Sequence, residues 1–518
     1  MRILLLFLLM LVCTMHTDAQ KIKLQHADVL KGGNVGGVRI ARPVGHVVFS
    51  QQQTIIYCDS AILNKSDNTL EAFGRIRITE GDSITITAGS LTYDGNSRIA
   101  RLRRNVVFTK LKSLQLFTNH LDYYRNKDLA LYFNGGKLVD TTNVLKSQKG
   151  YLNTITNLAA FKGKVNGENK DFTFSSDTLQ YQTRTKVLTF VAPATVVDKD
   201  GKVANYNSGF YNTTAKLSVL NEGVIESKAN RLKGDRYQIN DKQQFYRTTG
   251  NVVMEAKEDR MIIYGNQGDY DKAAGYTKVY GNPWLIRFDE AGDTLFLRAD
   301  TLVSVEGKDG RTKFLLAYPK VRIFKEDLQA VADSLAYLTA DSTMWFFGKP
   351  ALWNLDNQMT SDTIRMLVRN NVVDRVFMTS NSFVIGEDDL RNHNQIKGRN
   401  MTAWLKDDRI HHVDVEGNGE SLYFALEEKK VANDSISATL TLLTGLNQIV
   451  CSNMKINFIE GRLDNISFYI KPDAKFIPPP DIRKGDEKLK GFVWRAAERP
   501  TRDTVAGRKR REPAGQPR

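Results

Sequence analysis

One pattern of residues returns about every thirty positions along most of this 518-residue chain. Its clearest copy is Leu328–Tyr337, LQAVADSLAY; others are LFLRADTL at Leu295–Leu302, FTFSSDTLQY at Phe172–Tyr181 and LQLFTNHLDY at Leu114–Tyr123. Aligned on the Asp-like position, the copies fall at Asp59, Gly89, Asn119, Lys149, Asp177, Ser208, Asp235, Gly268, Asp300, Asp333, Asp362, Arg399 and Ser452. Such timing means one supersecondary unit stacked many times, not the roughly three or four domains that the length alone suggests.

Inside each copy, apolar or small residues stand at −5, −3 and −1 from the Asp-like position, as in Ile84, Ile86 and Ala88. Period-two alternation describes a strand with one buried face. Beyond the Asp-like position the parity slips, and the inward residues resume at +2 and +4, as in Leu91 and Tyr93. A slip of one would turn the strand inside out unless the backbone bends there. Asp, Asn, Gly and Ser suit such a bend. Gly250, Gly281 and Gly348 interrupt the second β-rich stretch of their copies and mark the corner of the returning strand. The expected fold is therefore all-β: an elongated antiparallel β-jellyroll of two facing sheets, built from hairpins whose arms each bend once, like a folded taco. Thirteen such units at ~4.8 Å per strand would stack to about 120 Å.

The unit is not uniform. The step from Arg399 to Ser452 contains a charged insertion, Leu426 to Asp434, expected as a loop or short helix. Cys58 and Cys451 share one inward slot almost four hundred residues apart, which makes buried thiols the better reading than a bridge. Residues 20–472 form the repeat domain, with room for two or more sub-domains. Residues 473–518 are a basic, proline-containing tail ending in Arg508-Lys509-Arg510-Arg511 and are expected to be disordered.

Residues 1–19 resemble a cleaved signal peptide: Met1-Arg2, a short apolar run from Ile3 to Val12, and small residues at Thr17 and Ala19. Cys13 raises lipidation as an alternative, against which Val12 is bulky for the residue before a lipidated cysteine. Export places the chain in the cell envelope. A formal charge of +15 points to an anionic partner or to a solvated basic face with a basic tail.

No glycine-rich phosphate loop, paired-cysteine zinc spacing or nucleophile elbow occurs. His411-His412 is the one histidine pair, and neighbours on a regular strand point to opposite faces, which disfavours a shared metal. The Asp-like slot also holds Gly89, Lys149 and Arg399, so bend geometry explains it better than catalysis. No cofactor, enzyme activity or nucleic-acid partner is expected. What recurs is apolar interior, with two readings. The walls pack on each other as a solenoid core, or they stay apart and hold hydrocarbon, small slots such as Ala88, Thr118 and Ser176 leaving the room.

The repeated A-D-S-L-x-Y corner at Ala332–Tyr337, with the breaks at Gly250 and Gly348, resembles the LptA/OstA-like lipopolysaccharide-transport family over roughly Lys21 to Pro472. The resemblance implies a periplasmic protein, in contact with the outer-membrane assembly route, that shields lipid A acyl chains in a V-shaped β-jellyroll groove. It implies docking of membrane-anchored transport partners, and self-association, through edge strands. The acyl chains would then touch Ile84, Ile86, Leu91, Leu114, Leu116, Phe172, Phe174, Leu295, Leu297 and Leu335. The chain is much longer than ordinary members and lacks the C-terminal barrel of the outer-membrane translocon. A structural or adhesive β-solenoid binding glycans or proteins is the alternative, and a polysaccharide-degrading β-helix enzyme a further one.

Overall fold

The computed structural model describes residues 21–288, 292–308, 312–369, 372–407, 409–433, 436–459 and 462–507. The expected signal peptide, Cys13 and the Arg508–Arg511 run lie outside these residues. The chain divides into two compact units, Met1–Ser227 and Lys228–Arg518. Each is built of antiparallel strands, as the alternating pattern predicts.

In the N-terminal unit the strands Val38–Gln51, Thr54–Asn64, Thr69–Glu80, Ile84–Asp94, Ile99–Lys110 and Leu114–Tyr124 pair in succession. Every pairing breaks register once, for example between Tyr57 and Ser60 and between Thr87 and Ser90. These breaks carry the strand from one wall to the other. Farther along, the bend becomes a gap in some arms, which are then two short strands, such as Asn143–Ser147 and Lys149–Asn153. Leu114–Tyr124 shows both ladders at once: residues 115–118 pair with Gly136–Val139, and 121–124 with Leu129–Tyr132.

The two arms bend by different means. The returning arm uses left-handed residues, commonly a glycine followed by a polar residue: Gly250-Asn251 (φ 75° and 45°), Gly281-Asn282 (76° and 59°) and Gly348-Lys349 (79° and 55°). The outgoing arm uses the Asp-like residue, whose amide donates to a carbonyl of that left-handed corner. Asp300 N reaches Pro319 O at 3.0 Å, and Asp362 N reaches Ser380 O at 3.0 Å. Its carboxylate then meets the polar residue opposite: Asp59 with Arg75 at 2.9 Å, Asp235 with Asn251 at 2.8 Å, Asp300 with Lys320 at 3.0 Å. Aspartate is favoured here because its short carboxylate reaches the polar residue of the opposite corner, while the amide bond is open to any residue but proline.

Three of the expected corners shift. Burial of Leu145, Ser147 and Leu152 places one at Gln148, not Lys149, and Gln148 N donates to Gly163 O at 3.0 Å. The next lies at Asn207, facing Glu222 (φ 48°), not at Ser208, and another at Asn266, whose amide reaches Gly281 O at 3.2 Å, not at Gly268. Asp28 is one further corner, its amide donating to Gly45 O at 3.0 Å. The spacing becomes more even: 119, 148, 177, 207, 235 and 266 give steps of 29, 29, 30, 28 and 31.

In the C-terminal unit the insertion at Leu426 is neither loop nor helix. Strands Arg409–Asn433 and Ile436–Ile459 continue pairing outward, from Leu426↔Leu443 to Asn433↔Ile436. Alternating Thr439-Leu440-Thr441-Leu442 favours extended backbone, and the partner strand satisfies its polar groups. The tail also departs from expectation. Asp473–Ile477 adds a strand to Ile436–Ile459, and the chain then runs to a short helix, Arg502–Ala506, as a strap against the sheet. Its prolines and charges suggested disorder, but side chains of the sheet bond its backbone, as described below.

Candidate functional site

The inward slots are filled as predicted, with different consequences in the two units. In the N-terminal unit Ile84, Ile86, Leu91, Leu114, Leu116 and Phe174 are buried, and Phe172 is half-buried. With Phe49, Phe108, Phe161 and Tyr181, all under 2% exposed, they make a packed interior between the walls. The small slots do not leave room there. Thr118 Oγ1 donates to Gly135 O at 2.7 Å and Ser176 Oγ to Pro193 O at 3.0 Å, so they tie the corner and let the walls approach. Cys58 and Cys451 are free, buried thiols in this pattern, and burial pushes the Cys58 thiol up to about 12.

Opposite the corners, polar residues join the free margins of the two walls. Tyr93 donates to Gln51. Tyr123 Oη and Arg125 Nε both donate to Glu80, at 2.9 and 2.7 Å. Lys110 reaches Asn157 at 2.6 Å, Tyr181 and Lys186 converge on Asp140, and Lys216 meets Asp171. These contacts span 41 to 47 residues of sequence and recur once per repeat, forming a row of latches. Burial raises the pKa of Asp140, but the bonds from Lys186 and Tyr181 outweigh it, and the carboxyl lies below its ordinary value. The N-terminal unit is closed on both sides.

The C-terminal unit differs. Ile263, Leu285, Leu295, Tyr337, Met344, Val368 and Val373 are only partly buried against its core. Between its walls lies a cavity of about 220 Å³. One wall supplies Leu295, Ile323, Leu328 and Ala330; the other supplies Met344, Phe346, Met366 and Val368. Arg287, Lys325, Asp293 and Asp327 add polar groups to the lining, with Lys325 3.0 Å from Asp327 and 3.8 Å from Asp293. The apolar part of this lining offers a hydrocarbon occupant surface to bury, with the charged groups beside it. Of the ten residues expected to line a groove, Leu295 lines this cavity, while Leu297 and Leu335 sit in the core beside it. A larger depression of about 620 Å³ in the N-terminal unit is shallower and mixes apolar residues with polar ones such as Ser175, Asp177, Asn205 and Glu222.

His411 and His412 are closer than strand alternation predicts, their Nδ1 atoms 2.8 Å apart. His411 is the extra residue of a bulge, where Trp404 pairs His412 and Leu405 pairs Ile410. No group of three metal-ligating side chains converges among the described residues.

A family model described as OstA-like protein matches residues 19–177. Over that segment the chain is similar to the OstA-like family. Among solved structures, a similar one is the crystal structure of LptH, the LptA homologous periplasmic component of the lipopolysaccharide transport device from Pseudomonas aeruginosa. It is 15% identical, covering 21% of this chain and 74% of that chain, with a TM-score of 0.19. No curated protein matches. The OstA-like segment covers most of the latched, closed walls, whereas the cavity lies beyond it, in the C-terminal unit. Sequence reasoning found the inward slots but missed Met344, Val368 and Arg287, since the bare pattern does not say where the walls part. No helix of the described residues is long and apolar enough to cross a membrane.

Proposed function

We propose that this protein is a periplasmic lipopolysaccharide-transport protein that shelters acyl chains between its two walls. The observation that carries this reading is the cavity of the C-terminal unit, apolar within and edged by Arg287, Lys325 and two carboxylates. Burial of hydrocarbon against Leu295, Ile323 and Met344 supplies affinity at about 25 cal/mol per Å² of apolar surface. Arg287 and Lys325 face the polar or anionic headgroup that cannot follow the chains inside. The OstA-like match supports the same class of cargo. Strands Lys23–His26 and Val29–Val35 each pair with Val38–Gln51, and the exposed Val29 and Leu30 suit partner docking by strand addition.

The test is a photo-crosslinking residue at Leu295 or Met344, with mass spectrometry of what it captures in cells. Lipopolysaccharide adducts at both positions are expected. Adducts to protein alone, with no lipid co-purifying, would leave the adhesive β-solenoid as the better account; the packed walls of the N-terminal unit are the observation that favours it.

A further inference from the structure

The strap after Ile477 is read by a ladder of glutamines. Gln358 Nε2 donates to Val493 O at 2.8 Å, and its Oε1 accepts from Arg495 N at 2.7 Å. Gln395 repeats the arrangement, donating to Glu487 O at 2.7 Å and accepting from Leu489 N at 2.8 Å. Gln448 Nε2 donates to Asp486 O at 2.8 Å, and Gln329 accepts from Arg499 Nε at 2.7 Å. All four glutamines stand four residues before their corners, Asp333, Asp362, Arg399 and Ser452. That slot faces outward, yet Gln329, Gln358 and Gln395 are almost fully buried.

The strap lies behind the cavity. Gln329 is flanked by Leu328 and Ala330, which line it, and Phe296, under the Arg502 guanidinium at 5.2 Å, is flanked by Leu295 and Leu297. Neighbours on a strand point to opposite faces, so the wall that borders the cavity carries the strap on its back. Trp353 pairs with Gln329 on one side and Gln358 on the other and is 1% exposed, although its slot faces outward too. In the N-terminal unit the equivalent slots, Ile55, Thr85, Gln115 and Val144, are only half-buried, and there the walls are shut.

We propose that residues 486–506 are a splint that holds this wall of the cavity apart from its opposite. An apolar void tends to close, because collapse removes its lining from water. The strap gives the wall a second packed face, so bending inward would break the glutamine bonds and expose Trp353. The splint concerns the shape of the cavity and rests on the lipid reading only for its purpose.

The test uses the full chain carrying Met344→Cys, whose alkylation rate reports access to the cavity; Cys58 and Cys451 are buried and give the background. Gln358→Leu with Gln395→Leu removes the central rungs. The amides of Leu489 and Arg495 should then exchange freely with solvent, and alkylation at 344 should slow tenfold or more. Val505→Asp, which detaches only the helical end of the strap, should slow it less and covers the case in which the double variant does not fold. Freed strap amides with unchanged alkylation would overturn the splint, as would amides that stay protected without the glutamines. Absent binding of a fluorescent fatty acid to the unaltered protein would count against the lipid reading alone.

Discussion

At the residue scale, the inward slots of the N-terminal unit behave as core. Leu116 is 1% exposed, so Leu116→Ala should cost about 3 kcal/mol in urea unfolding, as cavity-forming substitutions do. On an open groove wall the same change would cost under about 1 kcal/mol. Cys58 makes a second case. Burial raises its thiol to about 12, so at pH 8 the reactive thiolate is nearly absent. Alkylation of native protein should run at least about a hundredfold slower than in denaturant, with opening as the route. Equal rates would mean the walls part freely at that repeat. The slots themselves were legible, because alternation is strict over five positions. Their closure was not: small residues read equally as spare volume or as close approach, and the hydrogen bonds of Thr118 and Ser176 decide for approach.

At the scale of the element, corner and latch are the repeated devices. Gly74 sits at φ 71°, and a Cβ there would fall 2.3 Å from the Asp59 carboxylate. Gly74→Ala should therefore cost about 1–2 kcal/mol by thermal unfolding, whereas Asp59→Asn, at a corner pair 43% exposed on the Asp side, should cost under about 1 kcal/mol. The latch at Asp140 predicts acid sensitivity. Its folded pKa lies below the ordinary value of 3.8, so its contribution is present above that pH and is lost as pH falls through the folded value. Urea midpoints for wild type and Asp140→Asn should differ at pH 6 and draw together as pH falls well below 3.8; a constant gap would say the carboxylate charge does not matter. Removing the carboxyl altogether leaves Lys186 uncompensated and should cost about 3 kcal/mol. The corners were visible in sequence through aspartate and glycine, except where Gln148, Asn207 and Asn266 take the position without the motif. The latches were not visible, since their partners lie some 45 residues apart on opposite walls. The glutamine ladder had a signal, the same residue at −4 in four successive copies, but nothing in a strand pattern says which outward slots will be covered.

At the scale of the whole molecule, the two units pose different demands on a cargo. Hydrocarbon can enter the C-terminal cavity without breaking a packed interior, since Leu295, Met344 and Val368 already retain exposed surface. In the N-terminal unit, entry means opening at least one latch and uncovering side chains such as Ile86 and Phe108, which are fully buried in the interior. Each latch exchanges few polar contacts, but the apolar interface behind it costs about 1.5–3 kcal/mol per side chain exposed until a chain replaces it. Capture at equilibrium should therefore be confined to the C-terminal unit. Photo-crosslinkers at Leu295 and Met344 should label with a lipid probe added to purified protein, whereas crosslinkers at Ile86 and Leu116 should label at least about tenfold less. Labelling at Ile86 should then rise in cells, where transport partners and an energy source can drive the walls apart. Equal labelling at all four positions in purified protein would mean the closed walls open on their own, and the latches would be no barrier to the cargo.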